Sequence, residues 1–220
     1  QLAEQTLRPA RVPPAAAYSL VAITAVPTLV KLGLPDISAH FFAFYFAIMS
    51  AVVFGSIICH ELGHAWARKR SGAPYSEISL HGMGGLCSGP GRFTRWESIF
   101  IAAAGPAVSL LLGGLTALLI FSPGSQDPWI GFFIGQMLWV NVGWAIMNLL
   151  PILPLDGGHI LQGLLAGKTA HLVPKIGFVL AIIMAVAGFV LFRSLFMAVI
   201  FGLFAHTNWQ MIQGQRSHFG

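Results

Sequence analysis

Long apolar runs separated by short polar breaks dominate the chain, and they set the first expectation. A hydrocarbon core of about 30 Å needs roughly 20 mostly apolar residues per spanning helix. Residues 15–34, 40–67, 98–121 and 129–150 meet that length. The stretch from Pro174 to Thr207 is too long for one span. Gly188 and the Arg193–Ser194 pair predict a break there, giving spans at 174–192 and 194–207. Six spans are therefore expected, in an all-α membrane protein whose residues 1–220 form a single integral membrane domain.

The connection from Ser71 to Trp96 has a different texture. Ile78, Leu80 and Met83 alternate with Ser, His and Gly, and Gly82, Gly84, Gly85, Gly89 and Gly91 follow closely. Two readings stand: a short β-like or re-entrant segment against the helices, or a flexible cytoplasmic loop. Irregular backbone at membrane depth is tolerated only when buried in protein or lining a wet cavity.

Composition agrees with a membrane protein. Of 220 residues, 56% are hydrophobic and 9% charged, where a soluble domain carries about 25% charged residues; the mean hydropathy is +0.77. A net charge of +5, scattered along the chain, excludes a nucleic-acid footprint. The basic residues read better as topology signals. With a cytoplasmic N-terminus, Arg8, Arg11, Arg68, Lys69, Arg70, Arg92, Arg95, Lys168, Lys175 and Arg216 all fall inside, and Lys31 and Arg193 outside. Both termini are thus expected in the cytoplasm. Two cysteines give no disulfide framework and no CxxC pair. No secretory signal pattern is expected.

Charge at bilayer depth then picks out the chemistry. Among seven acidic residues, only Glu61 and Asp156 lie within or tightly against strongly apolar sequence. A charge there costs at least about 2.5–3.5 kcal/mol on insertion scales, so it faces a partner or a cavity. Glu61 belongs to His60-Glu61-Leu62-Gly63-His64, an HExxH sequence. Residues four apart share a helix face. Two imidazoles can therefore bind one metal while the glutamate reaches its water, and zinc suits imidazole and carboxylate donors. The plainer alternative, two structural histidines, is disfavoured because such groups are hard to bury without a metal or dense hydrogen bonding.

A catalytic zinc site usually takes a third protein ligand. Asp156 is the candidate, in Asn148-Leu149-Leu150-Pro151-Ile152-Leu153-Pro154-Leu155-Asp156-Gly157-Gly158-His159. The prolines break a helix, and the Gly157–Gly158 pair is expected to permit a tight turn that aims the acid inward. The alternative is an aspartate capping a helix that begins near Gly157. His81 and His159 are rival ligands; His40, His171, His206 and His218 fall near segment ends and read as interfacial.

These motifs together resemble the site-2 protease family of intramembrane metalloproteases. The likeness rests on His60–His64 at the end of a long apolar helix, on Asn148-Leu149-Leu150-Pro151 followed by Leu155-Asp156-Gly157-Gly158, and on Ala104-Gly105-Pro106 with Ser109, where the family often carries Asn. It covers the second to fourth spans by motif and the outer spans by hydropathy. It implies a three-helix catalytic core with His60, His64 and Asp156 as ligands of Zn2+, and Glu61 as general base. It also places Asn148 near the substrate carbonyl or bound water. The implied substrates are transmembrane or membrane-anchored proteins, and the implied setting is the lipid bilayer of the cell membrane. Family members often add PDZ or CBS modules; neither fits these residues, so a minimal form is expected. Three rival readings remain: a membrane-anchored protease with a cytoplasmic active site, a non-catalytic binder of transmembrane helices, and a metal transporter. The first would need a soluble domain, the second has no use for Glu61, and the third would repeat its acids through several spans.

Overall fold

A computed structural model describes residues 39–81, 84–167 and 169–214. They form six helices: α1 (Ala39–Arg70), α2 (Arg95–Leu118), α3 (Pro128–Asn148), α4 (Asp156–Leu164), α5 (Val173–Val190) and α6 (Leu195–Ile212). Between α1 and α2 lie strands β1 (Glu77–His81) and β2 (Gly84–Ser88). Five helical stretches are long and apolar enough to cross a membrane: Tyr45–Arg70, Arg95–Phe121, Ile130–Asn148, Ala170–Val190 and Leu195–Ile212. By length and composition these overlap the second to sixth expected spans; the span expected at residues 15–34 lies outside the described residues. Helix α4, nine residues long, is too short to cross.

Local sequence explains where these helices stop and start. Gly72, at φ +88°, takes the left-handed conformation that ends α1, and the Ala73 N–H returns to the Arg68 carbonyl at 2.9 Å. Thr94 and Glu97 form a reciprocal cap on α2, with the Thr94 N–H donating to Glu97 Oε2 at 2.7 Å. Helix α6 starts where Ser194 Oγ accepts the Met197 N–H. The expected break between the last two spans falls at residues 191–194, with Arg193 at φ 51°. Gly188 is not part of it. That glycine lies inside α5, where an added Cβ would sit 2.8 Å from Met197 Cβ, so it serves close helix contact.

The described residues divide into two compact units, one within Gln1–Arg92 and Ala107–Ala145, the other within Phe93–Pro106 and Ile146–Gly220. In the first, Tyr45, Met49, Val53 and Ile57 form a buried stripe on α1, joined by Ala65 and by Ile78 and Leu80 of β1. The four-residue spacing from Tyr45 to Ile57 is that of one helix face. The strands pair antiparallel, Glu77 opposite Ser88 and His81 opposite Gly84, which resolves the glycine-rich connection as a hairpin packed on α1. Arg68 fastens it: Nε donates to Ser76 Oγ at 3.2 Å and Nη2 to the Gly89 carbonyl at 2.6 Å. Because lipid is as apolar as leucine, small residues and polar pairs hold membrane helices together. Asn141 Nδ2 accordingly donates to Ser56 Oγ at 3.0 Å, both groups buried, and a Cβ at Gly113 would sit 2.8 Å from Val142.

In the second unit, Ile152 and Leu155 of the proline-rich loop pack with Ala181 of α5 and Phe201, Phe204 and Ala205 of α6. Asn208 of α6, fully buried, donates from Nδ2 to the Leu153 carbonyl at 2.6 Å. At the far end of α4, Arg95 Nη2 donates to the Leu164 carbonyl at 2.6 Å.

Candidate active site

The HExxH residues occupy the last three turns of α1, just before the basic end formed by Arg68, Lys69 and Arg70. His60, Glu61 and His64 are 2%, 4% and 8% exposed. The two imidazoles meet edge to face, centroids 4.8 Å apart, with their Nε2 atoms 3.1 Å from each other. With one proton on Nε2 the rings share a hydrogen bond; with both protons on Nδ1 the two Nε2 lone pairs converge on one point, as a shared electrophile requires.

Ser109 completes the His60 environment. It is 1% exposed, and its Oγ lies 3.0 Å from His60 Nδ1. In the tautomer that metal binding needs, Nδ1–H donates to that hydroxyl and the Nε2 lone pair is left for the metal, the usual support of a ligating histidine. Sequence reasoning noticed Ser109 beside Ala104-Gly105-Pro106 and assigned it no role. Its helical register relative to the HExxH histidine becomes visible only once α1 and α2 are packed.

His60, His64 and Asp156 form a group that could hold a metal ion: each offers one ligand atom, and these atoms lie within 4.8 Å of one another. Two imidazoles and a carboxylate are an ordinary zinc donor set, so the residues present fit the ion. Asp156 is the first residue of α4, and Leu155, whose side chain makes no cap, precedes it as N-cap. Asp156 thus stands in the first turn of α4 rather than at its N-cap position. The Gly157–Gly158 pair acts differently from expectation, since both glycines are helical. A Cβ at Gly157 would run into the Leu149 and Leu150 carbonyls, and one at Gly158 would lie 2.6 Å from the Ile152–Leu153 peptide. Close approach, not turn geometry, demands glycine there. His159, the rival ligand, is exposed.

Glu61 lies under the hairpin. A Cβ at Gly85 would overlap its Cγ, Cδ and Oε1, so β2 passes directly over the carboxylate with no side chain between. Gly84, at φ +135°, likewise lets Trp144 approach, its Cζ2 3.1 Å from where a Cβ would be. Burial, together with the Glu61 charge, pushes the Cys87 thiol up to about 11, against the opposing pull of Arg68 and a hydrogen bond with Ser76. Asn148 ends α3 and is 8% exposed.

Comparison with known proteins agrees with this chemistry. Residues 39–155, more than half the chain, match the family described as Peptidase M50B-like, and residues 125–192 match Peptidase family M50. A Synechocystis sp. protein provisionally named zinc metalloprotease sll0528 is 38% identical over 53% of this chain and 31% of its own length. Zinc metalloprotease MJ0392 of Methanocaldococcus jannaschii is 31% identical over 66% of this chain and 43% of its own. The chain thus spans less than half the length of these two relatives. A second protein of that archaeon, provisionally named zinc metalloprotease MJ0611, is 33% identical over 52% of this chain and 70% of its own. The solved structure of the site-2 protease from Methanocaldococcus jannaschii shares the fold, with a TM-score of 0.59 and 24% identity over 89% of this chain and 88% of that one. With its family match, its relatives and its group of two buried histidines and a half-buried aspartate, this membrane protein belongs to the Peptidase M50B-like family, the site-2 protease kin that its paired motifs resemble.

Proposed function

We propose that this chain is an intramembrane zinc metalloprotease that hydrolyses peptide bonds within or near transmembrane helices of membrane-anchored proteins, as in regulated intramembrane proteolysis. One observation carries the reading. A buried general-base candidate, Glu61, sits one residue from His60 in a group whose three ligand atoms lie within 4.8 Å, at the end of a helix suited to span a bilayer.

His60, His64 and Asp156 would hold the ion. Zinc, when bound, supplies Lewis acidity toward a carbonyl oxygen and lowers the pKa of water toward about 7. Glu61 accepts a proton from the attacking water as its oxygen adds to the scissile carbonyl carbon. The same carboxyl then delivers that proton to the amine nitrogen as the C–N bond breaks. Asn148 donates its amide N–H to the developing oxyanion. Ser109 keeps His60 in the ligating tautomer. His64 lies four residues before Arg68, so the site sits about 6 Å along the axis from the first membrane-edge cation, and water enters from that side. The basic residues support cytoplasmic termini and a location in the cell membrane.

A transmembrane substrate must unwind before a carbonyl can react, and its freed backbone groups then need partners. The hairpin supports such a role, because β2 crosses Glu61 with bare backbone at Gly85, and a strand edge can pair with an extended peptide. Proline substitution along Gly84–Ser88 should lower cleavage of a membrane-embedded reporter, and unchanged turnover throughout would count against strand pairing. The proteolytic reading itself is tested by Glu61→Gln, which should keep bound zinc while cleavage falls by about 10²–10⁴-fold, the usual share of general acid–base catalysis. Full activity in that variant removes the mechanism.

A further inference from the structure

We infer that Asn208 of α6 is a positioning residue for Asp156: its side-chain amide holds the Leu153 carbonyl and thereby fixes the first turn of α4. The inference rests on the reading of Asp156 as a metal ligand.

Asn208 is fully buried in a helix otherwise suited to span the membrane. Its Nδ2 spends one hydrogen on the Phe204 carbonyl of its own helix at 2.8 Å and the other on Leu153 at 2.6 Å. A proline-rich segment inside a membrane protein leaves backbone carbonyls that a neighbouring helix must satisfy, and Leu153 immediately precedes Pro154. The other end of the amide is equally constrained. Oδ1 is buried with no hydrogen-bond partner among the described residues, and it lies where a Cβ on Gly177 of α5 would overlap it. The amide is therefore wedged between the α5 backbone and the loop, with its donors aimed at the loop.

No slack separates that loop from Asp156. The Ile152–Leu153 peptide lies where a Cβ on Gly158 would come within 2.6 Å of it. The Leu155 carbonyl accepts from the Gly158 and His159 N–H groups at 2.9 and 3.2 Å. A shift of the Leu153 peptide thus passes to the first turn of α4, which carries the carboxylate. Arg95 holds the opposite end of α4 through Leu164, so the short helix cannot slide to compensate.

Asn208→Leu keeps the branched heavy-atom skeleton while removing both donors. Zinc affinity is read by competition with a chromophoric chelator, and kcat and KM on a membrane-embedded reporter. Outer partners of metal ligands are typically worth 10–100-fold, so the zinc dissociation constant should rise about 10-fold and kcat should fall comparably, with KM little changed. Gly177→Ala, whose added methyl meets Asn208 Oδ1 first, should shift both quantities in the same direction. Thr207→Val, on the adjacent buried residue that bonds to its own helix at Leu203, should change neither. Asp156→Ala is measured alongside. If it loses zinc while Asn208→Leu and Gly177→Ala bind as wild type, the positioning role is overturned and the ligand reading stands. If Asp156→Ala binds zinc normally, the ligand reading itself has failed. A loss of kcat in Asn208→Leu that follows only its unfolding midpoint, at unchanged zinc affinity, also overturns the proposal.

Discussion

Replacing Gly85 with alanine should disable catalysis while leaving zinc in place. The residue has no left-handed backbone requirement, since its φ is not among the positive ones, so the added methyl acts through space alone. That methyl would overlap Cγ, Cδ and Oε1 of Glu61, all closer than real Cβ atoms come. Something must move. The hairpin is the stiffer party: Ile78 and Leu80 anchor β1 in the α1 core, the strands are paired along their length, and Arg68 grips the chain at Ser76 and Gly89. Glu61 therefore yields, by a displacement on the order of 1 Å, and a misplacement of that size is worth about 10²-fold in rate, or about 2.7 kcal/mol on the barrier. Overpacking adds a stability cost of about 1–3 kcal/mol. The assay is cleavage of a reporter with one transmembrane helix in proteoliposomes, with zinc per protein measured on the same sample. Gly55→Ala, on the same helix with nothing within 4 Å of its Cβ, should cleave normally. Wild-type turnover by Gly85→Ala would show that β2 does not bear on the carboxylate and would refute the reasoning.

Three further outcomes are expected. Ser109→Ala removes the acceptor for His60 Nδ1–H, and the zinc dissociation constant measured by chelator competition should rise about 10-fold. Gly157→Ala drives a methyl into the Leu149 and Leu150 carbonyls. Backbone cannot rotate away, so thermal unfolding should show a loss of at least about 1–3 kcal/mol and zinc content should drop. Cys87, raised from 9.0 to about 11, stays a neutral thiol at physiological pH. Its alkylation by iodoacetamide should stay slow there and rise toward pH 11, and its contribution to stability, full below pH 9, should fade as pH climbs from 9 to about 11.

The membrane spans and the HExxH face were legible in sequence because helix periodicity and the cost of buried charge are local rules. His60 and His64 are one helical turn apart wherever that helix lies. The hairpin was half legible: alternating Ile78 and Leu80 suggested a strand, but only pairing with Gly84–Ser88 and burial in the α1 core decide it over a loop. Gly157 and Gly158 were rightly singled out for the wrong reason. Sequence shows that a side chain is missing, not which carbonyl would have met it. Gly188 misled in the same way. Ser109 and Asn208 act through partners 49 and 55 residues distant, and nothing in their neighbours along the chain announces such contacts.

Arg68 carries a consequence for how the membrane edge tolerates change. A topology rule counts it as one cation among several, interchangeable with lysine. Its guanidinium, however, spans two acceptors 13 residues apart in sequence, using the planar fork that an ammonium lacks. Lysine at 68 would insert in the same orientation and still leave the strands over Glu61 moored by one point where two now hold them.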